Sequence, residues 1–193
     1  MSAVSITEAW PSQGEPFTVE HLDRMPDDGR RYELIDGMLI VSPAPNVAHQ
    51  RVIIVLGSLL EQASPDHLVV LADVGVRIAD DSALEPDVVV AHVDNVEGVR
   101  LLRPPELAVE VLSPHSVLRD LNLKKAAYER FSIPSYWVID PDLDRPGLQA
   151  FELGDDGTYA GVAHVTGGEA FHAVRPFSVE IVPGRLVTKL RRG

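Results

Sequence analysis

Two acidic residues stand where the surrounding pattern calls for apolar ones. Asp87 opens the run Pro86-Asp87-Val88-Val89-Val90-Ala91, and Glu110 interrupts Leu107-Ala108-Val109-Glu110-Val111-Leu112. An ionised carboxylate among apolar neighbours is costly unless it is paired or bound to a metal. Strand alternation points Glu110 with Ala108 and Leu112, away from Val109 and Val111. If the two strands are neighbours, the carboxylates converge at one end of a sheet, and hard oxygen ligands of this kind select Mg²⁺ or Mn²⁺. The ordinary alternative makes Asp87 a turn residue and Glu110 the partner of an arginine.

Lys124 is the third candidate. The chain has only three lysines, Lys124, Lys125 and Lys189. Lys124 falls on the helix after the Glu110 strand, where a return crossover lays it over the sheet. A lysine beside a metal can orient or deprotonate water and stabilise developing phosphoryl charge; its bland alternative is a solvated surface lysine. Glu33, in Tyr32-Glu33-Leu34-Ile35-Asp36-Gly37, could reach the same pocket or simply be the exposed acid of an alternating strand. His49 lies near the start of an amphipathic helix and reads as a core or cap-region histidine. The other histidines show no metal-ligand spacing. No Gly-rich phosphate loop and no Gly-x-Ser-x-Gly elbow is present, and the absence of cysteine removes disulfides, thiolate metal sites and Cys nucleophiles.

The elements that must position these groups follow from hydrophobic period. Residues 1–16 read as a flexible N-terminal arm, and 17–193 as one domain, a size consistent with a single core. Thr18 caps a short helix to about Met25. Arg31–Asp36 and Met38–Ser42 form a hairpin at Asp36-Gly37. Val52, Ile53, Leu56, Leu59 and Leu60 recur at helical spacing between Asn46 and Gln62. His67–Asp73 and Gly75–Ile78 look like a strand pair, and 86–91 and 106–112 like buried strands. A helix over Ser116–Phe131 and a strand over Ser135–Asp140 then make a strand–helix–strand unit with a partly parallel core. Residues 148–153, 158–165 and 169–182 read as a terminal β-meander, followed by a short basic helix over Arg185–Arg192.

The charge balance, 17 Lys and Arg against 29 Asp and Glu for a net −12, repels phosphate backbones at long range. Nucleic-acid chemistry in such a chain calls for metal ions or a concentrated basic strip, which Arg119, Lys124, Lys125 and Arg130 offer. The longest apolar runs, Val52–Leu56 and Leu68–Ala72, are far short of the ~20 residues of a spanning helix. A cytoplasmic bacterial protein is the expectation.

The ordered set Tyr32-Glu33-Leu34-Ile35-Asp36-Gly37, His49-Gln50, Pro86-Asp87, Glu110-Val111-Leu112-Ser113-Pro114, Asp120-x-x-x-Lys124-x-x-x-Tyr128 and Tyr136-Trp137-Val138-Ile139-Asp140-Pro141 resembles the Uma-type endonucleases. These belong to the PD-(D/E)XK superfamily, and the resemblance spans roughly residues 17–185. It implies a restriction-endonuclease-like α/β fold, a mixed β-sheet flanked by helices, with Mg²⁺ (or Mn²⁺) held near Asp87 and Glu110. The superfamily lysine two residues after the second acid is absent, since position 112 is Leu. The resemblance moves that role to Lys124, in preference to Lys125, and adds Glu33 to the acidic site. It implies a metal-dependent hydrolase cutting DNA; a non-catalytic interaction module and a phosphodiesterase for RNA or nucleotides are the alternatives. A homodimer would suit the cutting of two strands.

Overall fold

The structure, a computed structural model, describes residues 10–12, 14–113 and 117–190, with the Arg119 side chain left aside. Most of the expected N-terminal arm, the expected helix start at Ser116 and the end of the basic tail lie outside the described residues. In chain order, α1 (Val19–Leu22) precedes β1 (Arg31–Ile35), β2 (Met38–Ser42), α2 (Val47–Ala63), β3 (Leu68–Ala72), β4 (Gly75–Ala79), β5 (Ser82–Leu84), β6 (Val88–His92), β7 (Arg100–Leu101) and β8 (Leu107–Val111). A six-residue π-helical segment, Arg119–Lys124, runs into α3 (Lys125–Arg130). After it come β9 (Ser135–Asp140), β10 (Gly147–Leu153), β11 (Tyr159–Thr166), β12 (Phe171–Ala173), β13 (Val179–Ile181) and α4 (Pro183–Val187).

The short apolar runs are buried strands, as their composition requires. A six-stranded mixed sheet in the order β11-β10-β9-β8-β6-β3 forms the centre. In it β6 pairs antiparallel with β8, placing Val88 opposite Val109, and β8 pairs parallel with β9, placing Glu110 opposite Val138. The parallel pair is the expected strand–helix–strand unit. A second sheet, β2-β1-β5-β4-β7, carries the β1–β2 hairpin. Asp36 and Gly37 make its turn with φ of 48° and 73°, the left-handed pair that a two-residue hairpin needs. Any Cβ on Gly37 would also meet Pro16 Cβ at 2.7 Å, so only glycine fits.

Alternation divides the central sheet. Val88, Val90, Leu107, Val109, Val111, Trp137 and Ile139 point to one side, where Val52, Ile53, Leu56 and Leu60 of α2 and Leu186 and Val187 of α4 cover them. Ala108, Tyr136 and Val138 point to the other side, against Ala127 and Tyr128 of α3. Asn46 caps α2 by accepting a hydrogen bond from the His49 backbone N–H at 3.0 Å.

Four expectations are corrected. β3 and β4 do not pair: β3 joins β6, and β4 joins β5 and β7. Period and composition mark a strand without naming its partner: β3 takes the more distant β6, while β4 turns straight back onto β5 and takes the distant β7 on its other edge. The terminal meander is split, with β10 and β11 extending the central sheet and β12 and β13 forming a two-stranded ribbon. The tail is less a basic helix than an apolar anchor, because Leu186 and Val187 are fully buried. The helix after β8 carries a π-helical segment, Arg119–Lys124, whose apolar spacing is close enough to that of an α-helix to hide it. No helix among the described residues is long and apolar enough to cross a membrane.

Candidate functional site

The register of β6 and β8 sets Asp87, just before β6, across from Glu110 on the face opposite α2. β1 brings Arg31 and Glu33 to the same place, and the π-helical segment brings Asp120 and Lys124. These residues line a cleft of about 400 Å³ whose mouth is the Val41–Asn46 stretch. All four sequence-derived candidates, Glu33, Asp87, Glu110 and Lys124, are at most 2% exposed. Lys124 rather than Lys125 faces the sheet. The Lys125 ammonium instead lies over the rings of Phe151, at 4.9 Å, and Tyr159.

Asp87 is held by three donors. Arg31 Nη1 donates to Oδ1 at 2.6 Å, the Val111 backbone N–H donates to Oδ2 at 2.7 Å, and His49 Nε2 lies 3.2 Å from Oδ2. Burial by itself would raise the pKa of this carboxyl and favour its protonated form. The His49 hydrogen bond and the Arg31 and Lys124 charges outweigh burial and hold it down at about 2. Arg31 also reaches Asp73 and, at 3.4 Å, Glu85.

Glu110 is held differently. Its Oε1 accepts from Lys124 Nζ at 2.9 Å and from the Tyr128 hydroxyl at 2.6 Å. Complete burial pushes this carboxyl well above the usual range; Lys124 opposes the shift, and Asp87, Asp120 and Glu33 add to it. Lys124 Nζ also sits 2.7 Å from Glu33 Oε1, which accepts the Glu85 backbone N–H as well. Burial would lower the Lys124 ammonium, but Glu110 and Glu33 reverse this and keep it charged.

Four members of the cluster are not site residues in the sequence reading: Asp120 and Tyr128, which share the face of Lys124 at i−4 and i+4, and Arg31 and His49. Arg31 sits 56 positions from Asp87, and nothing local in the chain marks that contact. His49 carried a signal, since it occupies the buried stripe of α2 one turn from the N-cap, but that place is equally a core position. Arg119, expected in a basic strip, has no described side chain. Arg130 turns to Asp36 on the surface.

A divalent cation can be tested against this donor set. The buried groups Glu33, Asp87, Glu110 and Asp120 face two permanent cations, Arg31 and Lys124, an excess of acid that a divalent ion would offset. Glu33 Oε2 is buried and has no hydrogen-bond partner among the described residues. Oxygen donors of this type fit Mg²⁺ or Mn²⁺. As the side chains stand, no three His, Asp or Glu groups among the described residues form a ready cage, because Lys124 and Arg31 already engage the acids.

A family model, Uma2, described as "Putative restriction endonuclease", matches residues 19–185. No curated protein is significantly similar to the chain. Among solved structures, the fold is similar to that of "a putative nuclease belonging to DUF820" from Anabaena variabilis. The TM-score is 0.73 at 17% identity, over 91% of this chain and 100% of that one. At that identity the likeness is one of fold, and the fold is the mixed sheet flanked by helices that the sequence implied.

Proposed function

The chain belongs to the Uma2 family, whose description reads "Putative restriction endonuclease", and on that premise we propose that it hydrolyses DNA phosphodiester bonds with the help of a divalent cation. The observation that carries this reading is the meeting of Asp87 and Glu110 on one sheet face with Lys124 Nζ 2.9 Å from Glu110.

Asp87, Glu110 and Glu33 would hold Mg²⁺ or Mn²⁺, which when bound supplies positive charge to the phosphoryl oxygens and a more acidic water. Asp87 enters this role already ionised, because Arg31, His49 and the Val111 N–H hold its negative form. Lys124, kept charged between two acids, can donate to the attacking water and face the charge that grows on the phosphate. Tyr128 fixes the Glu110 carboxyl from the helix side. His49 keeps Asp87 turned toward the cleft. In this reading residues 17–193 act as one domain in a bacterial cytoplasm, and two copies pair where both strands of a duplex are cut.

The test is cleavage of supercoiled plasmid with Mn²⁺ by the wild-type chain and by Asp87→Ala, Glu110→Ala and Lys124→Met. The expected result is nicking by the wild type and none by the three variants. Cleavage that survives Asp87→Ala overturns the reading. A second reading, a non-catalytic interaction module, draws on the ion pairs that already engage the acids and on the net charge of −12. It predicts neither cleavage nor a metal response in the wild type. A phosphodiesterase for RNA or nucleotides is separated by offering those substrates beside the plasmid.

A further inference from the structure

The cross-strand row that holds Asp87 and Glu110 does not stop at them. Glu110 lies opposite Val138, Val138 opposite Gln149, and Gln149 opposite His164, so one row crosses four strands on the same face. Its outer end is a second cavity of about 290 Å³. Leu112 and Val138 contribute apolar surface to it, Asp140 and Thr166 add a carboxylate and a hydroxyl, and Arg145, Gln149 and His164 supply the remaining polar groups. Among the described residues, none hydrogen-bonds the side chains of these last three. At ~4.8 Å per strand, Gln149 stands ~10 Å from the acid centre. That is about three nucleotide steps at the stacked spacing of ~3.4 Å, and fewer once a strand is unstacked.

We propose that this cavity takes one unstacked nucleobase of the substrate strand beside the bond that is cut. This rests on the nuclease reading above and adds where selectivity arises. Apolar surface beneath a rim of amide and imidazole groups suits a base: the flat ring lies on Leu112 and Val138, and Gln149 offers a donor and an acceptor to its edge. The size falls at the small end of ligand sites, which span ~300–1,000 Å³. Charge gives the second argument. A chain of net −12 gains little from counterion release, so beyond the metal its hold on a nucleic acid draws on local contacts, bases among them, rather than on a general attraction to phosphates.

The test is ultraviolet crosslinking of the full chain, with Mn²⁺, to short single-stranded oligonucleotides carrying one 5-iododeoxyuridine moved along the strand. The expected result is a crosslink confined to the peptide around Gln149 and His164, at one position near the cleaved bond. The double substitution Gln149→Ala, His164→Ala should lower affinity for the preferred base by about tenfold and flatten the cleavage preference. It should leave the melting shift caused by Mn²⁺ unchanged, which a merely structural role would not. Crosslinks on other segments, or an unaltered preference in the double variant, overturn the pocket while plasmid cleavage lets the nuclease reading stand. Loss of crosslinking and cleavage together in the wild type overturns both.

Discussion

Strand β8 serves two environments that share only a backbone. On one side Val109 and Val111 meet α2 and α4 in a continuous apolar layer with Trp137 and Ile139. On the other, Glu110 meets Lys124 and Tyr128, and Lys124 reaches on to the carboxylate of Glu33. The apolar side gains from every group it buries. The charged side must recover by pairing what it loses by desolvation, and such pairs do little better than break even against an apolar core. The first side therefore stabilises the fold, and the charged cluster on the second, set beside the apolar packing of Ala108 and Val138 on α3, is kept for something other than stability.

That contrast can be broken from either side. Trp137→Ala, which empties a fully buried site in the apolar layer beside Phe171, should cost ~3–5 kcal/mol in urea denaturation. Lys124→Met should cost a comparable ~3–5 kcal/mol at neutral pH, because it leaves two buried acids without their cation. The sharper test is the combined change Glu33→Gln, Glu110→Gln, Lys124→Met. If the charged side is not a stability device, the combined variant should be far closer to wild type than Lys124→Met alone, or above it. An additive loss would show that the ion pairs hold the fold after all.

Metal should act on one side only. At about 100 times its dissociation constant, Mg²⁺ or Mn²⁺ should add ~2.7 kcal/mol, a melting shift of roughly 5–10 °C. Scanning calorimetry should find this shift in Trp137→Ala and not in the Asp87→Asn, Glu110→Gln pair.

The two acids should respond to pH with opposite signs. Asp87 has a depressed folded value, about 2 against 3.8, so its stabilising contribution of about 2 kcal/mol is present above pH ~3.8 and fades as pH falls toward 2. Glu110 has a raised folded value, so its contribution is full below pH ~4.5 and is lost as pH rises through that folded value. Denaturation across this range should show the deficit of Asp87→Asn shrinking toward acid. The deficit of Glu110→Gln should shrink toward neutrality. Smallest of all, Lys125→Met should cost ~0.5–1 kcal/mol through its lost contact with the Phe151 ring, and should leave cleavage intact.

Much of this was legible in the chain because the two sides write differently. Apolar runs of three or four residues declared β6, β8 and β9, and period declared α2. Asp87 stood out at the head of such a run and Glu110 by interrupting one. Lys124 stood out through its rarity and its place after β8. What stayed hidden is non-local. Arg31 and His49 meet Asp87 only once three elements have docked, and a strand as short as β7 has no period to detect. β3 and β4 were seen as strands and wrongly joined, since adjacency in sequence is a weak guide to who shares a ladder.

The π-helical segment between β8 and α3 makes the length of this stretch as consequential as its composition. Each residue in a helix turns the next by ~100°. Deleting one residue between Leu118 and Lys124 would therefore leave every later side chain chemically intact while forcing either the loss of the π geometry or the rotation of Tyr128 off Glu110. An added residue in the Asp155–Gly157 turn, out at the tip of a hairpin, would meet solvent and change little. Insertions and deletions should thus be tolerated at the far hairpin and purged from the few positions ahead of Lys124, a constraint on reading frame length that no single substitution would expose.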